Sequence, residues 1–332
     1  MKQRLRGLIS LPAPNRAGWH QAIRMTCAAL LANLATALVG LPHGYWAVIT
    51  CLIIVQGSLG ATIGAGIARL AGTAAGVVLG GIGVLLLRVD PKLPEWLVLL
   101  IVIAPLALLV ASRPIFKFAP FTGALVLLLA GSGDLTFALN RIGEIALGCV
   151  IGVLVSLFVL PERATSVLVH HAAATLEQLG EFAMVLLVGT DPQTRANFES
   201  KMRHAYVQIQ NDLKEVDNER SVLLLRSDPF PERLLRHMQR LRTDVNMLGR
   251  AVARQNDSDN LGELGTSIRL QFQSAAAVLR SRDVPEISGW LRQTPRITDA
   301  ETPLGFAVAT LQHEFAELEE SLREWTTPGH LP

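Results

Sequence analysis

The sequence predicts an all-α protein in which a six-helix polytopic membrane domain is followed by a cytoplasmic helical bundle. Three observations point there. Half of the 332 residues are hydrophobic and only 5% are aromatic, with a mean hydropathy of +0.36. Of the 58 charged side chains, 15 fall in residues 1–160 and 43 in residues 161–332, which divides the chain into an apolar half and a soluble half. The patterning changes at the same point: long apolar runs precede Pro161, and apolar residues spaced by three and four follow it. The implied organisation is a cytoplasmic segment over 1–19, membrane domain over 20–162 and cytoplasmic domain over 163–332.

Six runs approach the roughly 20 apolar residues a helix needs to cross a bilayer. They are Gln21–Leu41, Gly44–Ala65, Leu70–Leu87, Pro94–Ser112, Ile115–Gly131 and Thr136–Leu160. Lysine and arginine near helix ends stay on the cytoplasmic side. With the N-terminus inside, that side holds Lys2, Arg4, Arg6, Arg16, Arg24, Arg69, Arg113, Lys117 and Arg163, against Arg88 and Lys92 outside. An even number of spans then leaves both termini in the cytoplasm. A cleavable signal peptide is a rival for residues 1–40, but five further spans favour a retained anchor.

Beyond Pro161 five amphipathic helices are expected. Val167, Leu176 and Phe182 mark one that continues from the sixth span; Phe198, Met202, Ile209 and Val216 mark a second. Leu234, Met238, Leu241 and Val245 give a third, Leu264, Ile268 and Leu279 a fourth, and Leu304, Val308, Leu311, Phe315 and Leu322 the last. Pro192, Pro229, Pro231, Pro285 and Pro295 fall in the gaps. The alternating charges on these helices suit a solvated face or a docking surface for a protein partner.

Several chemistries lack their residues. Cys27, Cys51 and Cys149 all lie in apolar runs and read as small buried side chains, not as a disulfide framework or metal site. Adjacent His170 and His171 point to different sides of a helix, which disfavours a metal pair. No GxxxxGK[ST] occurs, no nucleophile, base and orienting group assemble from motifs, and no basic-aromatic interleaving suggests nucleic acid. Neither an enzyme nor a bound cofactor or metal is expected.

Charge inside the apolar half is informative, because an ionisable group in a bilayer helix costs about 2.5–3.5 kcal/mol and therefore faces protein or water. Arg69 stands in "VQGSLGATIGAGIARLAGTAAG", Val55–Gly76, a run of small residues. Two readings are open. Arg69 snorkels from the start of the third span, or the helix breaks near Gly57–Gly60 and its positive end, with Arg69, faces an anion. Arg141 and Glu144 are three apart on one helix face and form an internal ion pair, or Glu144 carries a proton while Arg141 holds an anion. Gln56, Thr50 and Thr73 offer neutral hydrogen bonds. His43, Tyr45 and Trp46 form an interface belt or a gate.

The run "HGYWAVITCLIIVQGSLGATIGAGIARLAGTAAG", His43–Gly76, with its Tyr-Trp-Ala start and its Arg-Leu-x-Gly-Thr-x-x-Gly finish, resembles the fusaric acid resistance and aromatic acid exporter family. "RIGEIALGCVIGVLVSLFVLPERA", Arg141–Ala164, is similar to that family's closing span. The resemblance implies a bacterial inner-membrane efflux permease that moves organic anions, commonly aromatic carboxylates, using the proton gradient. It also implies Trp46, Gln56, Arg69, Gly72 and Thr73 as the conduction region. Similar architecture in the plant aluminium-activated malate transporters, which are dimeric anion channels, implies a homodimer. A periplasmic adaptor protein is a further candidate partner. Gly57 stands where the family's proline is expected, and the chain carries one membrane repeat where the long exporters carry two. A passive organic-anion channel is the alternative, and a non-transporting anchor whose bundle recruits a partner is a third.

Overall fold

The computed structural model describes residues 16–41, 43–129, 135–189, 192–223, 228–253, 261–285, 289–292 and 302–327. Most of the expected segment 1–19, the connection 130–134 and Pro295 lie outside these residues. Among the described residues every regular element is a helix. The chain divides into two units, Met1–Arg163 and Ala164–Pro332.

The first unit contains α1 (Arg16–Val39), α2 (Tyr45–Ile54), α3 (Leu59–Val89), α4 (Glu95–Ser112), α5 (Ala119–Leu129) and α6 (Leu135–Phe158), with a 3-10 turn at Pro114–Phe116. Four helical segments, Gly18–Val39, Leu59–Val89, Glu95–Ser112 and Asn140–Phe158, are long and apolar enough to cross a membrane; Tyr45–Ile54 and Pro114–Leu129 are apolar but shorter. Their outward faces are apolar as well, with Leu38, Leu108 and Phe158 exposed, as a lipid-facing helix requires.

Two boundaries differ from the sequence expectation. The second run is helical only to Ile54. An extended Val55 and Ser58 separate α2 from α3, and Ser58 Oγ caps α3 by accepting from Ala61 N at 3.0 Å. From Leu59 the chain is one continuous 31-residue helix, so Arg69 lies inside α3 and not at the start of a span. The run of small residues does not interrupt it, because the glycines serve close packing. Gly72, Gly76 and Gly80 recur every fourth residue along one face against α5. A Cβ on Gly76 would meet Ala119 O at 2.6 Å and Gly123 N at 2.8 Å, and one on Gly80 would meet Gly123 O at 2.8 Å.

Three segments converge at one end of this unit. Leu59 N donates to Glu162 O at 2.9 Å, and the Glu162 carboxylate lies 3.6 Å from His20 Nδ1. The starts of α1 and α3 and the exit of α6 therefore share that end.

The second unit holds α7 (Ala164–Val188), α8 (Pro192–Leu223), α9 (Phe230–Val252), α10 (Leu261–Ser281) and α11 (Pro303–Thr326). The chain does not run straight from α6 into α7: non-helical residues around Leu160, whose φ is +49°, and Pro161 separate them. α7 packs against α8, α9 and α10, and α9 packs against α11. One hydrophobic core joins them, in which Phe230 stacks on Trp325 (4.4 Å) and Phe272 meets Phe315 edge-on (4.8 Å). Pro192 opens α8, Pro229 and Pro231 open α9, and Pro285 follows α10, positions where a missing amide donor is harmless.

Candidate functional site

Arg69 sits ten residues past the start of α3, about 15 Å along the helix at ~1.5 Å per residue. Its side chain is fully buried, and none of its three guanidinium nitrogens has a hydrogen-bond partner within the protein. The group instead lies over two rings from the start of α5, with its guanidinium carbon 4.9 Å from the Phe118 centroid and 5.8 Å from the Phe121 centroid. Gly72 makes this approach possible: a Cβ there would meet Phe118 Cβ at 2.9 Å and Ala119 N at 3.0 Å. Thr73 donates its hydroxyl to Arg69 O at 2.7 Å, back onto its own helix.

Arg141, near the beginning of α6, repeats the pattern. It is 2% exposed, its three guanidinium nitrogens lack hydrogen-bond partners, and its guanidinium carbon stands 3.0 Å from the Trp46 ring centroid. Trp46 in turn meets Phe121 edge-on at 6.4 Å. Arg141, Trp46, Phe121, Arg69 and Phe118 thus form a continuous series in which two rings lie between the two cations, close enough for the two like charges to repel. The expected ion pair between Arg141 and Glu144 is not formed within 4 Å. Glu144 is 1% exposed; its Oε1 accepts from His43 N at 3.0 Å and lies 3.9 Å from His43 Nδ1, while Oε2 has no partner. Trp46 offers Arg141 a broad face from a neighbouring helix and wins the contact. Thr50, one turn beyond Trp46, contributes a fully buried hydroxyl with no partner.

Each cation–π contact is worth about 0.5–2 kcal/mol. Burying an unpaired ion costs several kcal/mol. The rings therefore do not compensate two guanidinium groups, and the cluster has the electrostatic character of an anion site. Arginine's planar fork suits a carboxylate in two-point contact, and the flanking aromatic faces suit a planar ligand.

Trp46, Arg69, Arg141 and Glu144 are thus brought together. Gln56 is not: it lies in the break, where its Nε2 donates to Ile53 O at 2.9 Å and its backbone N to Thr62 Oγ1 at 3.0 Å. Gly72 and Thr73 support Arg69 without adding a polar group to it. Sequence reasoning missed Phe118 and Phe121, whose signal is a pair of rings three apart at the start of a short apolar helix. It also read Arg24 only as flanking charge. Arg24 is fully buried, with Nη2 donating to Gly57 O at 2.7 Å and with Nε and Nη1 unpartnered.

The second unit carries a different polar core. His237 Nδ1 is hydrogen-bonded to Glu314 Oε1 (2.6 Å) and Nε2 to Ser321 Oγ (2.9 Å). The order resembles a hydrolase triad. Ser321, however, is buried between α9 and α11, and Glu314 is shared with Arg240 at 3.6 Å, so the bonds serve helix packing. Among the described residues no cluster of three His, Cys, Asp or Glu side chains could hold a metal ion.

Residues 27–155, which contain this cation cluster, match the fusaric acid resistance protein-like family. The match lies within the membrane unit and covers less than half of the chain. Two Escherichia coli K12 proteins show the same relationship at a distance. The uncharacterized protein YhfK is 26% identical over 222 residues, 65% of this chain and 30% of its own length. The inner membrane protein YccS is 29% identical over 179 residues, 50% of this chain and 24% of its own length. Each alignment thus spans less than a third of the relative. The fusaric acid resistance-like unit, with its apolar helices, makes this a membrane protein.

Proposed function

We propose that the protein is an efflux permease for small organic carboxylate anions, aromatic ones in particular, working as a homodimer in the bacterial inner membrane with both termini cytoplasmic. The observation that carries the reading is the pair of buried arginines, Arg69 and Arg141, without hydrogen-bond partners and interleaved with Trp46, Phe118 and Phe121. A carboxylate supplies their missing charge, and a ring on that carboxylate stacks where the protein's own rings do. The excess of lysine and arginine at the end where α1 and α3 start supports a cytoplasmic assignment for that end.

Glu144 is the proton carrier in this scheme. Its charge and the anion both act on Arg141, so that proton and anion occupancy are linked. The test is uptake of labelled 4-hydroxybenzoate into vesicles of the purified protein, with and without a pH gradient at clamped voltage. Accumulation above equilibrium only with the gradient is expected, and Glu144→Gln should abolish it while leaving downhill flow. A Glu144→Gln protein that still concentrates the anion would remove Glu144 from the coupling step. Flow that only follows the electrochemical gradient would make the protein a channel, and no flow for a panel of anions would favour the anchor.

A further inference from the structure

A third buried cation lies away from the Arg69–Arg141 cluster, at the end where α1 and α3 begin. Arg24 is on α1, eight residues after its start. Its Nη2 donates to Gly57 O, in the non-helical link just ahead of α3, while Nε and Nη1 are buried without partners. Nη2 thus holds the link, while the donors on either side of it are left without partners. Around it the first amides of a 31-residue helix carry partial positive charge, although Ser58 Oγ and Glu162 O occupy two of them. Glu162 is within electrostatic reach of Arg24, and its carboxylate lies 3.6 Å from His20 Nδ1.

We infer that Arg24 and the link ahead of α3 form a second oxyanion-binding station, a carboxylate-loading site one step before the Arg69–Arg141 cluster. This rests on the permease reading and adds a place to it. A carboxylate accepting from the second hydrogen of Nη2 together with Nη1 or Nε would supply the partners the protein does not. The about 15 Å of helix between Leu59 and Arg69 would then separate two stations of the same chemistry. A solute that meets one cation after another is never left in apolar surroundings without a counter-charge.

The test is the stoichiometry of 4-hydroxybenzoate binding to the full chain, by calorimetric titration in phosphatidylcholine nanodiscs. The wild type should bind two equivalents per chain. Arg24→Met should bind one, and so should Arg69→Met. Arg24→Lys keeps a donor for Gly57 O but lacks the fork. It should keep its melting temperature while the corresponding equivalent weakens roughly 10- to 100-fold. One equivalent that Arg69→Met removes and both Arg24 variants leave unchanged would overturn the station and spare the permease reading. One equivalent lost only through Arg24 would do the opposite. No binding by the wild type would end both. Because a lipid phosphate has the same chemistry, the titration is repeated with phosphatidylglycerol: retention of two equivalents supports a solute station, and loss of the Arg24-dependent one assigns the site to lipid and overturns it.

Discussion

Glu319 in the second unit accepts from Gly289 N at 2.8 Å and Leu291 N at 3.2 Å, and pairs with Arg323 at 3.2 Å. Arg69 in the membrane unit is more deeply buried and has no hydrogen bond at all. The contrast extends across the two units. Asp212 is held by His171 and Gln208, Glu219 by Ala164 N, and Glu314 by His237 and Arg240. Arg24 has one bond, and Arg141 has none. Among the described residues of the second unit, Gln271 and Trp290 have wholly unpartnered buried side chains, both uncharged, and Asp244 is the one buried acid without a hydrogen bond, its carboxyl pushed toward the neutral form. Charge that only builds a fold is satisfied by that fold or neutralised, because leaving it unpaired costs several kcal/mol. Charge left unpaired in three places in one small helical unit points to a partner from outside the chain.

That comparison makes predictions of opposite sign. Arg141→Met should lower carboxylate flux by about 100-fold, the loss of roughly 2.7 kcal/mol of anion stabilisation, and at the same time raise the melting temperature, because an apolar side chain in place of an uncompensated ion stabilises. In the second unit Glu319→Ala should do the reverse. It orphans Gly289 N and Leu291 N and should cost about 3 kcal/mol, or roughly 6–12 °C in melting temperature, readable by differential scanning fluorimetry. A drop with Arg141→Met as large as that with Glu319→Ala would break the comparison.

Two smaller effects sharpen it. Gly76→Ala forces a methyl group onto the α5 backbone and should cost about 1–3 kcal/mol, whereas Gly81→Ala, which has nothing within 4 Å, should leave the melting temperature unchanged. Near-equal melting temperatures for the two would sever α3–α5 packing from stability. Asp244 concerns the second unit. Burial and the Glu314 charge, opposed by Arg240 and His313, push its carboxyl from 3.8 up to about 6; His237 lies two turns away on the same helix. The folded state therefore binds a proton that the unfolded state does not between about pH 6 and pH 4. This group's ionisation weakens the fold above pH 6, and the loss is relieved as the pH falls through 6. Asp244→Asn should melt about 2–6 °C higher than wild type at pH 7.5 and within about 1 °C of it at pH 5, where both side chains are neutral. An equal gain at both pH values would exclude ionisation as the cause.

The amphipathic helices were the most legible part of the sequence. Leu234, Met238, Leu241 and Val245 recur with the helical period and all lie in the core, since a helix with one wet face must pattern itself. Helix ends in the apolar half were harder to place, because a helix surrounded by lipid needs no such contrast. Thus a single helix over Leu59–Val89 read as two spans divided at Arg69. Identities within the cluster were visible in part: a charge in an apolar run is conspicuous, so Arg69, Arg141 and Glu144 stood out. Their partners did not. The spacing of Arg141 and Glu144 shows only what shares a helix, whereas Trp46 and Phe118 arrive through packing between helices. Arg24 passed as flanking charge because nothing local shows that the link at Gly57 folds back onto α1.

The most direct measurement is the melting temperature of the purified protein as 4-hydroxybenzoate is added, for wild type beside Arg69→Met. If Arg69 is held unpaired for an anion, wild-type stability should climb with ligand, by about 2.7 kcal/mol at a hundredfold excess over the dissociation constant. Arg69→Met should start above wild type without ligand and respond by at most half as much. A variant that starts below wild type and still shows the full rise would mean that Arg69 is a structural element and that the anion binds elsewhere.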